Sequence, residues 1–266
     1  MVRSTLLIIR YRISIQDIRG KDAQERRPPT VVDLAMPKAV LVTGQPGCGK
    51  TVLVRELYER AVRSVGEACC SGFYTDETLS SGSRDGFDLV IVGARAGARG
   101  VFARKGMKSA HKTGAYGVDV AAFERLALPE IQLDDAHACG ASTMPWPRLV
   151  VVDEIGRMEA HSAEFCTSIR RLLEQPHARL IGSVAAPRYG HTLAIAEETK
   201  VVPGVVVLHM KPSTREHTRQ LAIAAVDEMV GEMLSEMRAA RRDCDDRTSA
   251  APRGSKKRKL AGRRAA

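Results

Sequence analysis

The sequence predicts an α/β fold, and three observations carry that prediction. Gly44-Gln45-Pro46-Gly47-Cys48-Gly49-Lys50-Thr51 stands between an aliphatic run and a helix-patterned stretch. Residues 149–152 are aliphatic and run straight into Asp153 and Glu154. Two β-rich runs, residues 72–77 and 87–92, flank a Gly/Ser/Asp turn cluster and read as a β-hairpin.

The first of these fits the pattern G-x-x-x-x-G-K-[ST]. Residues 39–42 supply the strand before it and residues 52–65 the helix after it, the context in which the pattern carries meaning. Glycines let the backbone bend so that several N–H groups point into one concavity. The following helix adds its N-terminus, and both favour an anion. Gly44, Gln45, Pro46, Gly47, Cys48, Gly49, Lys50, Thr51 and Val52 are therefore the expected phosphate cradle. Lys50 would reach the outer phosphates, and the Thr51 hydroxyl would ligate Mg²⁺. Cys48 occupies a free position of the pattern and reads as a small filler. A chance glycine-rich turn is the bland alternative, and the agreement of eight positions and both flanks argues against it.

After the hairpin, residues 93–114 are rich in Gly, Lys and Arg with little apolar pattern. They read as a mobile basic loop. Residues 116–120 are strand-like, and residues 121–128 form a helix expected to stop before Pro129. Residues 134–147 are a polar connection, and Trp146 within it reads as packing.

Residues 149–154 read as a buried parallel strand with its acids at the carboxyl end. In open α/β sheets that end faces the ligand crevice. Asp153 would hold Mg²⁺, and Glu154 would polarise a water for attack on the terminal phosphate. A regular strand points neighbours to opposite faces, so both acids serve one site only if the strand ends there. Beyond it come a helix at 163–173, a strand at 179–184, a helix at 193–198, a strand at 205–208 and an amphipathic helix at 213–237. Ser183 lies near a strand end, where it would sense phosphate or cap the backbone locally. Ser213 and Glu216 have capping-box spacing.

Charge divides the chain. Residues 1–37 carry 7 basic and 4 acidic residues, residues 38–237 carry 23 and 24, and residues 238–266 carry 11 and 3. The +10 net charge thus sits at the ends, and nothing in the middle implies a nucleic-acid-binding face. Residues 1–37 read as a disordered extension, with Met36 a candidate start, and residues 238–266 as a disordered basic tail. Ser255-Lys256-Lys257-Arg258-Lys259 would act as a nuclear-import signal, a nucleic-acid tether or a solvated segment. The six cysteines make no C-x-x-C or zinc spacing and read as thiols of a reducing compartment. No apolar run approaches a membrane span. The expectation is a cytoplasmic monomer that contacts no membrane, with nuclear entry or nucleic-acid contact only through the tail.

Taken together, residues 38–225 resemble the cancer-related nucleoside-triphosphatase family of P-loop proteins, which also includes small thermophile enzymes. The resemblance rests on Gly44 to Thr51, Gly72 to Thr75 with Glu77, Gly86-Phe87-Asp88, Tyr116-x-Val118-Asp119, Phe123-Glu124-x-Leu126-Ala127, and Val152-Asp153-Glu154-Ile155-Gly156-Arg157-Met158-Glu159. It implies a RecA-like domain with a mainly parallel sheet, helices on both faces and a β-hairpin insertion. It also implies Mg²⁺-dependent hydrolysis of ATP, GTP and other nucleoside triphosphates, with Lys50 and Glu154 catalytic and Thr51 and Asp153 on the metal. The family carries Asn-Arg near its last strand where this chain has Thr214-Arg215, which leaves base preference open. Two other functions compete. A P-loop kinase would use Arg95, Arg99 and Arg104 of the basic loop as a lid. A nucleotide-dependent nucleic-acid switch would use the tail.

Overall fold

The computed structural model describes residues 36–93, 95–133 and 147–249, the last seven of them by backbone only. In chain order the elements are β1 (Ala39–Thr43), α1 (Lys50–Val65), β2 (Cys70–Ser80), β3 (Ser83–Gly93), β4 (Arg99–Lys105), β5 (His111–Thr113), β6 (Tyr116–Val118), α2 (Val120–Ile131), β7 (Arg148–Ile155), α3 (Ala163–Glu174), β8 (Ala178–Val184), α4 (Ala194–Val201), β9 (Val205–His209) and α5 (Arg215–Ser249). Among the described residues the strands form one nine-stranded sheet in the order β5-β6-β4-β3-β2-β7-β8-β1-β9. Strands β2, β7, β8, β1 and β9 pair in parallel. The remaining strands extend β2 as an antiparallel wing.

Alternation along the central strands assigns a helix layer to each face. Val40 and Val42 of β1 and Leu149 and Val151 of β7 pack with Leu53, Val54 and Leu57 of α1 and with Val226, Met229 and Met233 of α5. Their neighbours Leu41, Val150 and Val152 pack on the opposite face with α2, α3 and α4. Both faces are covered, so these strands read as unbroken aliphatic runs. Each such side chain contributes on the order of 1.5–3 kcal/mol by leaving water. Phe123 of α2 centres an aromatic cluster, with ring centroids 5.5 Å from Phe73, 5.1 Å from Phe102 and 5.3 Å from Phe165.

Three expectations about local structure are corrected. The basic stretch at 93–114 is not one mobile loop, because it contains β4 and β5. Phe102 and Ala103 are fully buried, and the three arginines of the stretch are paired. Arg99 bonds Asp88 and Asp76, Arg104 bonds Asp88, and Arg95 pairs with Glu130. Helix α2 continues through Pro129 to Ile131, since a proline in the last turn removes only one helical bond. Helix α5 starts at Arg215 rather than Ser213 and runs on to Ser249. In the 3₁₀ turn just before it (Pro212–Thr214) the Thr214 hydroxyl accepts from the Lys211 N–H at 3.3 Å, and Ser213 makes no side-chain hydrogen bond among the described residues, so the Ser213–Glu216 box does not form. Met237 is the last buried apolar residue of α5 among the side chains described, and the helix backbone runs on beyond it to Ser249. Among the described residues no helix is long and apolar enough to cross a membrane. Residues 1–35, Trp146 and the basic run at 255–259 lie outside the described residues.

Candidate active site

The chain leaves β1 and turns at Gly44, where a Cβ would stand 2.4 Å from the Met210 carbonyl oxygen. Only glycine allows that approach. The Met210 N–H donates to the Thr43 carbonyl at 2.7 Å, so the end of β9 is pinned beside the loop. Gln45, Pro46 and Gly47 are exposed, while Cys48 is buried in the α1–α5 layer, the filler the pattern predicts. Gly49 forms the N-cap of α1 at φ 100. The first-turn N–H groups of α1 have no helical acceptor and remain for an anion. Val52 is 61% exposed, and its backbone N–H stands in the first turn of α1.

Lys50 folds back over this loop. Its Nζ donates to the Gly44 carbonyl at 3.1 Å and lies 3.7 Å from Glu154 Oε1. Strands β7 and β8 stay in register up to Val152 and Gly182, and the register shifts before Ile155 and Val184. The irregularity falls on Asp153 and Glu154. It replaces the expected strand end, because β7 continues to Ile155.

Asp153 is buried to 1% exposure. Its Oδ1 accepts a hydrogen bond from the Ser183 hydroxyl. Its Oδ2 is buried with no hydrogen-bond partner among the described residues. Burial pushes the Asp153 carboxyl up, opposed by the Ser183 and Thr51 hydroxyls and by the charge of Lys50. Thr51 therefore stands beside Asp153, as the sequence reading requires. Burial also raises Glu154, and Lys50 opposes that shift. Ser183 neither caps the backbone nor waits free for phosphate; it orients Asp153.

Two further groups escape sequence reasoning. Glu159 is buried, and burial followed by the nearby Glu154 charge drives its carboxyl well above the usual range. A Cβ on Gly156 would stand 2.7 Å from Glu159 Oε2 and 3.3 Å from Glu154 Cγ, so the two acids share one small space. Glu159 lies in a stretch without periodicity, and only its place in the family motif marks it. Lys200 of α4 donates to the Ala185 carbonyl at 2.9 Å and to Glu197 at 2.7 Å. Its charge pulls the Glu154 carboxyl down, a small opposition to the upward push of burial. In the sequence it reads only as half of an i,i+3 surface pair. Arg99 and Arg104 are committed to the antiparallel wing and Arg95 to Glu130 of α2, so they do not join the site.

Residues 39–223 match the model of the family described as NTPase. The chain is 36% identical over 187 residues to the human cancer-related nucleoside-triphosphatase, covering 68% of this chain and 93% of that protein. It is 30% identical over 179 residues to nucleoside-triphosphatase THEP1 of Aquifex aeolicus, covering 66% and 92%. The solution structure of a human cancer-related nucleoside triphosphatase aligns with a TM-score of 0.57 at 34% identity, over 72% of this chain and 97% of that one.

Proposed function

The chain belongs to the NTPase family, and from that premise we propose that it hydrolyses nucleoside 5′-triphosphates, ATP and GTP among them, to the diphosphate and phosphate with Mg²⁺. The observation that carries this reading is the convergence of Lys50, Asp153 and Glu154 on the N-terminus of α1.

The cradle from Gly44 to Val52 binds the phosphate chain through backbone N–H groups. Lys50 moves from its Gly44 and Glu154 partners onto the outer phosphate oxygens, where charge builds as the terminal phosphoryl group transfers. Glu154 accepts a proton from the attacking water. The water oxygen bonds to the γ-phosphorus as the bridging β–γ oxygen leaves with the diphosphate. A carboxylate raised by burial is suited to gaining that proton.

The donor set fits Mg²⁺, which takes hard oxygen ligands from one or two protein groups plus phosphate and water. The unpartnered, buried Asp153 Oδ2 and the adjacent Thr51 hydroxyl are such groups. Among the described residues no cluster of three or more His, Cys, Asp or Glu forms an independent metal site. When bound, the ion would neutralise phosphate charge.

Phosphate release by the purified chain from each nucleoside triphosphate, with and without Mg²⁺ and with phosphoryl acceptors added, tests the reading. Acceptor-independent release supports hydrolysis; release that needs an acceptor makes the chain a kinase.

A further inference from the structure

Helix α5 is locked to α1 by two charged clasps. Arg219 forks onto both oxygens of Glu56. Arg60 forks onto Asp227 at 2.5 and 2.7 Å. Bidentate pairs of this kind fix geometry as well as adding energy. At its start α5 is tied again: Thr218 donates to the His209 carbonyl at 3.2 Å, and Met210 bonds Thr43. The first residue of α5 is therefore held at one place beside the phosphate loop.

That residue is Arg215. A Cβ on Gly49 would stand 2.8 Å from Arg215 Nη2, 3.0 Å from Cζ and 3.2 Å from Nε. The guanidinium thus lies directly against the last glycine of the loop, in the space a side chain there would fill. Arg219, one turn later, has two carboxylate partners. Arg215 has no hydrogen-bond or ion-pair partner among the described residues. An unpartnered fork of N–H donors, placed over a loop built to gather anions, calls for a planar or tetrahedral anion.

We propose that Arg215 binds the inner phosphates of the nucleotide, closing the phosphate cradle from the α5 side. This rests on the triphosphatase reading above and adds a residue to it. Lys50 lies 3.7 Å from Glu154 and serves the outer phosphates, whereas the Arg215 guanidinium lies against Gly49. A phosphate contact is indifferent to the base, so it contributes affinity without choosing among nucleosides. The glycine at 49 is then required twice, for its positive φ and for the space the guanidinium uses.

The experiment is calorimetric titration of the full chain in Mg²⁺ with adenosine 5′-(β,γ-imido)triphosphate and with inorganic tripolyphosphate. Parent, Arg215→Ala and Arg215→Lys are compared. Arg215→Ala is expected to weaken both ligands by roughly ten- to a hundredfold, the share of a charge-assisted contact. Arg215→Lys should recover part of that loss, since it keeps the charge but not the fork. Arg215 ties nothing else down, so unfolding temperatures should agree within a few degrees. Unchanged affinities in Arg215→Ala would overturn the proposal. A loss for the nucleotide alone, with tripolyphosphate unaffected, would also overturn it, by moving the guanidinium to the nucleoside. Failure of the parent to bind either ligand would instead sink the triphosphatase reading itself.

Discussion

Lys50 Nζ stands 3.7 Å from Glu154 Oε1 and 3.1 Å from the carbonyl oxygen of Gly44, so one ammonium bridges the phosphate loop and the acid at the end of β7. That bridge couples the two sequence motifs in space. It also leaves Lys50 held near its working position before a nucleotide arrives. Replacing it tests the coupling: Lys50→Ala should lower phosphate release by roughly two orders of magnitude or more. Circular dichroism should stay parental. Near-normal turnover would remove Lys50 from the chemistry.

Ser183 is predicted to matter through Asp153. Ser183→Ala deletes the hydrogen bond from Ser183 to a carboxylate that is 1% exposed. The cost should be about 1–3 kcal/mol of stability, read as a lower Tm. The Mg²⁺ concentration for half-maximal activity should rise as well, because Asp153 is no longer oriented. A Tm loss with an unchanged Mg²⁺ requirement would make the bond purely structural.

Glu159 gives a pH signature. Its folded carboxyl is held well above its ordinary value of 4.5, so the native state keeps a proton that the unfolded chain releases. Stability from this group is full below that ordinary value and declines as pH rises toward the folded one. Glu159→Gln carries no titrating proton. Its Tm should therefore fall less than that of the parent between about pH 5 and pH 8. Parallel Tm–pH curves for the two proteins would contradict the assignment.

The antiparallel wing should be inert in catalysis. Arg99→Ala breaks exposed pairs with Asp76 and Asp88, worth about 0–1 kcal/mol each. Turnover should stay within twofold of the parent. A large fall in kcat would restore the lid that a kinase needs.

The parts of the site that local chemistry dictates were legible in the sequence. The glycine-rich loop, Lys50 and Thr51 follow from spacing alone, and the run 149–154 announced its acids by its aliphatic approach. The helix and strand order held because both faces of the parallel sheet are buried, so aliphatic runs mark strands and periodic runs mark helices. What stayed hidden was set by long-range partners. The stretch 93–114 looked like a loop because its arginines face outward onto Asp76 and Asp88, which lie in other strands. Pairing that neutralises a basic strand leaves no mark on the strand itself. Ser183, Lys200 and Glu159 gain their surroundings from β7, β8 and α4, elements far apart in the chain. The placement of Arg215 over Gly49 depends on clasps between α1 and α5 that no spacing rule encodes.

The division of labour between the paired acids is where the mechanism is most exposed to test. The decisive measurement is the single-turnover hydrolysis rate, with nucleotide affinity at several Mg²⁺ concentrations, for Glu154→Gln and Asp153→Asn. Glu154→Gln keeps the shape and removes the acceptor for the water proton. It should bind Mg²⁺–nucleotide like the parent and hydrolyse roughly two to four orders of magnitude more slowly. Asp153→Asn should lose affinity and Mg²⁺ response together. A Glu154→Gln protein that hydrolyses at the parental rate would contradict the mechanism, as would equal losses of binding in both variants.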